Sequence, residues 1–480
     1  MTDQIAPRRA ATARPTKVVI VGGGYVGMYT ALRLQRSVSR GQAEITVIDP
    51  QANMTYQPFL PEAAAGSVEP RHVVVSLRRV LRKCRIVAAS VTGIDHGHRT
   101  VTVQPEMGDA YLIDYDLVVV CPGSISRLMP IPGLGDFGIG FKTIGEAIYL
   151  RNRVLAQIDF AASTDNAELR KRALTFVFVG GGYAGVEAMA ELEDMAAYYV
   201  RRYVPGMESK EMRWVLVEAA TRIMPEVSVP LGSYTVDRLT ERGIDVRLET
   251  RLESAVGGHI ELSDGEKFDA NTLVWTAGVK ANPMLENTDL PRDDKGRVPT
   301  AASMAVRGVS GVFAAGDCAA VPDLTGPPGA ICGPSAQHAV RQAKVLAKNL
   351  KREITGNELL EYRHKYVGSV ASLGLYRGVA EIHGIKLKGI VAWFMHRTYH
   401  VSRMPTLNRK VRVLADWTGA LVFRREVVSL GQLQQPLTVF QEAAVPSGNA
   451  AAAMPPGSSP VEPGHDQPES TEAPSAAAPR

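Results

Sequence analysis

The sequence predicts an α/β protein with two Rossmann-like dinucleotide-binding domains, the second inserted in the first, followed by a C-terminal module. Three observations carry that expectation. KVVIVGGGYVGMYTALRLQ (residues 17–35) and FVFVGGGYAGVEAMAELEDM (residues 176–195) repeat one pattern: apolar β-branched and aromatic residues, then G-x-G-x-x-G, then helix formers. The strand after each copy ends on an acid, EITVIDP at Asp49 and MRWVLVE at Glu218. Much later, VSGVFAAGDCA reads as a strand followed by a strong helix, PSAQHAVRQAKVLAKNL, so the chain returns to its first domain after completing the second.

Gly22, Gly24 and Gly27 form the first turn; Gly180, Gly182 and Gly185 form the other. Such a turn sets backbone N–H groups at a helix start against a pyrophosphate, and the acid ending the next strand meets a ribose hydroxyl. A lone glycine-rich turn often only reverses the chain. Two of them, each after a strand and before a helix, point to two bound dinucleotides. Between them CRIVAASVTGI, TVTVQ and YDLVVV read as a meander and a returning core strand, and CPGSISRLMPIPG as a turn-rich crossover. EAIYLRNRVLAQI centres a helical stretch, and DVRLE, HIELSDGEKFDA and TLVWTAG read as short strands. The expected organisation is a disordered N-terminus over 1–16, a first domain over 17–133 and 286–350, a second over 134–285, a C-terminal module over 351–440 and a disordered tail over 441–480. The tail is rich in Ala, Pro, Ser and Glu and has no aromatics, so it cannot bury enough apolar surface to offset ordering entropy.

Composition narrows the class further. At 480 residues the chain is long for one core, so two or three domains are expected. A net charge of +5 is modest at this length and makes no case for a nucleic-acid partner. The four cysteines, Cys84, Cys121, Cys318 and Cys332, show no C-x-x-C or zinc-like spacing, which fits a reducing compartment. Residues 1–16 lack the apolar core of a secretory signal, and no apolar run is long enough to predict a membrane-spanning helix.

Taken together, the two turns, VVVCPG, WTAGVKANP and VFAAGDCA resemble the two-dinucleotide-binding flavoprotein reductases. Within that group NMTYQPFLPEAAAG, GVEAMAELEDM, LVWTAGV and AQHAVRQAKVLAKNL look most like type II NADH:quinone oxidoreductases, a likeness that spans residues 17–430. The resemblance implies FAD held non-covalently by the first domain, NADH as co-substrate at the second, and two electrons passed to a membrane quinone without a proton-pumping domain. It assigns Gly22, Gly24 and Gly27 to the FAD pyrophosphate, Asp49 to the adenosine ribose, Gly123 to a close approach to the flavin nucleotide and Asp317 to a ribityl hydroxyl. Gly180, Gly182, Gly185 and Glu218 form the NADH side; Gln57 and Gly278 are further cofactor-binding residues, and Ala336 lies with Gln337 where flavin and quinone meet. The helix beginning near Ser335 would aim its N-terminal N–H groups at the flavin, favouring the anion formed on reduction. By the same resemblance Glu187 is catalytic beside nicotinamide and flavin, and Gln337 sits where flavin and quinone meet. Plainer readings stand beside these: an Asx-turn for Asp317, an ordinary helix residue for Gln337, a carboxylate resting on its helix N-terminus for Glu187.

The C-terminal module departs from the family pattern. Residues 386–425 hold nine Lys and Arg against one acid, Asp416. Leu387, Ile390, Val391, Phe394 and Val401 share one helical face, with Lys388, His396, Arg397 and His400 largely opposite. That pattern predicts a basic amphipathic helix, a membrane-associating element on an anionic surface; together with the resemblance it implies a peripheral protein at the cytoplasmic face of the cell membrane. The alternative is a helix packed on the protein's own core. His396 and His400, i and i+4, have no acid or thiol near in sequence and read as surface residues, with no metal site expected. Cys121 and Cys332, near the flavin region, keep a sulfide:quinone oxidoreductase as an alternative. A reductase of a soluble electron carrier and a non-catalytic NADH-sensing flavoprotein remain as others. The choice of quinone, menaquinone included, and that between monomer and homodimer stay open.

Overall fold

Each glycine-rich turn leaves the end of the central strand of a five-stranded parallel sheet. In the computed structural model the first sheet runs Val312–Ala314, Leu117–Val120, Thr16–Val21, Ala43–Ile48, Arg85–Val87. The second runs Gly138–Gly140, Thr272–Trp275, Thr175–Val179, Arg213–Val217, Ile244–Arg247. In both, the strand that follows the turn lies on one side of the central strand and the returning strand on the other. Parallel strands covered on both faces must be apolar throughout, and Val18–Val21 and Thr175–Val179 are all buried. The crevice beyond the strand ends, where the connections diverge, is the ligand position in sheets of this kind.

The first sheet is completed only after the second. Val312–Ala314 pairs with Leu117–Val120, and the helix Ala336–Ile354 packs on the helix Tyr25–Ser37. Ser335 caps the later helix by accepting the His338 N–H at 3.1 Å. A short antiparallel ribbon, Ser124–Ser126 with Val279–Ala281, joins the two halves. Residues 14–364, 367–423 and 425–429 are described, all in one unit that extends to Gly431; residues 432–480 form a second unit outside the described residues. Most of the N-terminal segment and the whole tail expected to be disordered therefore also lie outside them.

The C-terminal module is an antiparallel sheet, Gly368–Ser372, Gly378–Ile382 and Ile385–Lys388, followed by the helices Gly389–Arg403 and Leu407–Phe423. Pro405 divides them: proline forces its predecessor out of the helical region, and Met404 has ψ 140°. The expected orientation of the first of these helices is inverted. His396 and Arg397 are buried, whereas Ile390, Val391 and Phe394 face outward, with only Val401 of the apolar set buried. The reason is a set of buried carboxylates beneath the helix.

Candidate active site

Seven of the expected cofactor-binding residues, Gly22, Gly24, Asp49, Gln57, Gly123, Asp317 and Ala336, line one cavity of about 230 Å³. The turn that opens it tolerates no side chain at two positions. Gly22 has φ 102° and a Cβ there would stand 2.4 Å from the Cys121 carbonyl oxygen. A Cβ on Gly27 would stand 1.8 Å from the Gly22 carbonyl oxygen. Asp49 closes the turn: its Oδ2 accepts the Gly23 N–H at 2.8 Å and its Oδ1 the Gln51 N–H at 2.9 Å. Burial holds that carboxyl above its usual range against the pull of these N–H groups. Glu218 closes the second turn, accepting the Gly181 N–H at 2.6 Å and the Ala220 N–H at 2.8 Å. Across the cavity, the Ser124 hydroxyl lies 2.6 Å from Asp317 Oδ2, and the Lys142 ammonium lies 2.5 Å from that hydroxyl. Gln57 donates its amide to the Lys142 carbonyl at 3.2 Å. Gly278, with φ 83°, accepts the Arg127 N–H at 3.1 Å at the start of the joining ribbon.

Gln337 is not among the residues lining the cavity; its amide donates to the Gly368 carbonyl at 3.0 Å and accepts from Arg341 at 3.2 Å. Glu187 is buried and accepts the Ser372 N–H at 2.8 Å instead of resting on its own helix N-terminus. Gly368 and Ser372 are the ends of one strand, about 13 Å apart at about 3.3 Å per residue. The two residues expected to be catalytic are thus held by one strand of the C-terminal module, which no motif signalled.

Around Glu187, carboxylates of the core meet cations of the helix Gly389–Arg403 and of the stretch that follows the last helix. His396 Nε2 lies 3.2 Å from Glu187, Arg397 Nε 3.4 Å from Glu62 and Arg425 Nη2 3.6 Å from Glu191. Glu62 also accepts Trp417 Nε1–H at 2.8 Å, and Ser372 Oγ donates to Glu191 at 2.8 Å. The Arg397 guanidinium is sandwiched between Trp393 and Trp417, 4.1 and 4.6 Å from the ring centres. The His396–Glu187 approach is too poorly aligned for a hydrogen bond, so it is an attraction of charges. Burial would push His396 down, but Glu187 and then Glu62 outweigh it and hold the imidazole above its usual value. His400, ring centre 4.5 Å from His396, is pushed well below by burial and by that neighbour. His400 Nδ1 lies 3.4 Å from the Tyr56 hydroxyl, and Tyr56 packs on Tyr25, which lines the cavity.

The surface-histidine expectation is therefore corrected: an acid 209 residues earlier in the chain faces His396. Sequence reading passed over Glu62, Glu191, Ser372 and Lys142. Two signals were available: a lone acid in the apolar stretch PFLPEAAAG, and two acids four apart, Glu187 and Glu191, on one face of the helix that the second turn opens.

Residues 16–343 match the family described as pyridine nucleotide-disulphide oxidoreductase. The chain is 28% identical over 440 residues to the type II NADH:quinone oxidoreductase Ndh of Mycobacterium tuberculosis, covering 88% of this chain and 92% of that protein. It is 30% identical over 387 residues to the type II NADH:quinone oxidoreductase of a Staphylococcus aureus strain, covering 79% and 93%. Among solved structures, NDH2 from Plasmodium falciparum in complex with NADH shares the fold, with a TM-score of 0.80 at 16% identity over 86% of this chain and 100% of the other. With both turns and both sheets inside residues 16–343, the chain belongs to the pyridine nucleotide-disulphide oxidoreductase family and, within it, to the type II NADH:quinone oxidoreductases.

Proposed function

We propose that the protein is an FAD-dependent NADH:quinone oxidoreductase that takes hydride from NADH and passes two electrons to a membrane quinone. The observation that carries this is the doubled turn, each copy closed by its own acid at the centre of its own parallel sheet. The cavity fits FAD: where Gly22 and Gly27 leave no room for a Cβ, the N–H groups opening Tyr25–Ser37 stay clear for a pyrophosphate. Asp49 would meet the adenosine ribose, with Gln57, Gly123, Asp317 and Ala336 along the flavin half. NADH would lie at Gly180, Gly182 and Gly185, with Glu218 at its ribose and Gly278 at the ribbon. This makes 17–133 with 286–350 the FAD domain and 134–285 the NADH domain. Bound FAD supplies the one chemistry the side chains lack, accepting a hydride and releasing electrons to an acceptor that takes protons separately. Glu187, with His396 behind it, orients the nicotinamide and holds a proton close by; Gln337, pinned at both ends of its amide, positions the quinone side.

NADH oxidation by purified protein with lipid tests the reading. NADH should bleach the flavin absorbance and a menaquinone analogue should restore it. Bleaching with no turnover on any quinone would favour an NADH-sensing flavoprotein.

Cofactor choice follows from Glu218. Its charge beside the ribose repels a 2′-phosphate, and Arg222 does not offset it, because its guanidinium is held by the carbonyls of Met224, Pro225 and Val227. NADH should be used in preference to NADPH, and Glu218→Arg should narrow the ratio of kcat/KM values. Equal use of both by the unaltered protein would overturn the assignment.

The thiols have no part in this reaction. Cys121 and Cys332 are free and buried; burial pushes Cys332 up to about 11 and Cys121 further, so neither is a thiolate at neutral pH. Serine at both positions should leave NADH oxidation largely intact. Sulfide-driven flavin reduction that the same change abolishes would promote the sulfide:quinone alternative.

The membrane is met by the inverted helix. No described helix is long and apolar enough to cross a bilayer. Yet Ile390, Val391 and Phe394 stand exposed and line an open apolar groove of about 650 Å³, and Leu407, Val411, Leu414, Leu421 and Phe423 of the next helix are exposed too. Full burial of each such side chain is worth about 1.5–3 kcal/mol, so a partly inserted set suffices for a peripheral anchor. Lys386, Lys388, Arg403 and Arg412 are exposed around it and suit anionic headgroups at the cytoplasmic face. Asp at both Ile390 and Phe394 should abolish vesicle binding and most quinone reduction while NADH–ferricyanide activity persists. Full-length protein that ignores anionic vesicles even at low salt would refute the anchor.

A further inference from the structure

The cavity contains a cation that the reaction as described leaves without a task. Lys142 stands immediately before the helix Ile144–Ser163, where a capping box fixes its backbone. Its N–H donates to Glu146 Oε2 at 2.8 Å and its carbonyl accepts from Gln57 at 3.2 Å, so the residue is pinned on both sides. The half-buried side chain reaches into the cavity, and it is the only cation among the described residues that line it; Asp49 and Asp317 are the acids.

The ammonium is held but not neutralised. Its nitrogen lies 2.5 Å from Ser124 Oγ, which lies 2.6 Å from Asp317 Oδ2. Lysine only donates and an ionised aspartate only accepts, so the serine accepts from Lys142 and donates to Asp317. No carboxylate among the described residues comes within ion-pair distance of the ammonium, and the nearby Glu146 carboxylate is engaged by the N–H groups of Lys142 and Thr143. Burial lowers the ammonium's pKa, partly offset by Asp317 and Glu146. A fixed, half-buried cation with N–H groups to spare, facing a cavity, is built to meet an anion there.

The reaction delivers that anion. A hydride carries two electrons and one proton, so one unit of negative charge enters the cavity as NADH leaves as NAD⁺. Asp49 and Asp317 oppose that charge, and the start of the helix Ala336–Ile354 offers only partial positive charge against it. We propose that Lys142, positioned by Ser124 and Asp317, stabilises the reduced flavin and so sets how readily the cofactor accepts electrons. This rests on the FAD reading above.

The test is the flavin midpoint potential of the holoprotein, measured by equilibration with a reference dye and a chemical reductant, without NADH. Lys142→Gln should shift the reduction equilibrium toward the oxidised form by about tenfold, about 30 mV for a two-electron couple. Lys142→Arg should keep the wild-type value, and Ser124→Ala, which frees the ammonium without removing it, should shift the same way by less. Flavin-loaded Lys142→Gln at the wild-type potential would overturn the proposal. If Lys142→Gln retains no flavin, Ser124→Ala decides, and a wild-type potential there overturns it. Wild-type protein that holds no FAD would instead refute the functional reading itself, so the two failures are separable.

Discussion

Gly27→Ala is expected to strip the protein of FAD and destabilise it by the upper end or more of the about 1–3 kcal/mol that overpacking usually costs. The new methyl would fall 1.8 Å from the Gly22 carbonyl oxygen, next to Ile20. Backbone cannot rotate aside as a side chain can, so the helix Tyr25–Ser37 must lift off the strand Thr16–Val21 that seats it. Gly24→Ala is the control: nothing lies within 4 Å of its Cβ and its φ of −69° suits any residue. It should fold normally and lose FAD affinity only, because its methyl would enter the space at the helix start. Thermal unfolding and flavin content after gel filtration separate the outcomes. Equal stability and equal flavin content in the two variants would show that the turn does not hold the cofactor.

Glu62→Ala should cost about 3–5 kcal/mol, the usual penalty for breaking a buried charge pair. Glu62 is 1% exposed, and Arg397, 8% exposed between two tryptophans, would keep a charge it cannot shed. Glu187→Gln should cost less, because His396 can release its proton. It should also slow flavin reduction or reoxidation with FAD content near normal. The pH dependence gives the finer test. The groups facing His396 are Glu187, Glu62, Arg397 and His400, and their net effect raises its pKa above the unfolded value of about 6.5. Its stabilising contribution is therefore complete below about 6.5 and is lost as pH rises through the raised value, where the native state binds the extra proton. Thermal stability of the parent should fall over that window, and Glu187→Gln should flatten the fall. An unchanged slope would mean that Glu187 does not hold the proton. The same cluster bears on a chain ending near Gly384: it would leave Glu62, Glu187 and Glu191 without their cations, so the residues beyond Gly384 that supply those cations are part of the core.

The sequence by itself determined what local chemistry encodes. Glycines that exclude a Cβ, acids at strand ends and apolar runs too short for anything but buried strands are features of consecutive residues. They made both turns, the central, following and returning strands of each sheet and seven lining residues of the cavity legible; the edge strand Gly138–Gly140, which has no apolar run, was not. The helix Ala336–Ile354 was legible for the same reason, from its cap and its length. The C-terminal helices were not. Helical periodicity separates an apolar stripe from a basic one, but it is symmetric as to which stripe faces inward. Burial of the basic stripe becomes favourable only when opposite charges wait beneath it, and Glu62, Glu187 and Glu191 lie more than 190 residues earlier in the chain than the residues they meet. The joining of Gln337 and Glu187 through Gly368–Ser372, and of Lys142 to Asp317 through Ser124, are likewise contacts between distant segments. Only the tertiary structure decides these, because the energy of a buried charge depends on what surrounds it in space rather than on what adjoins it in the chain.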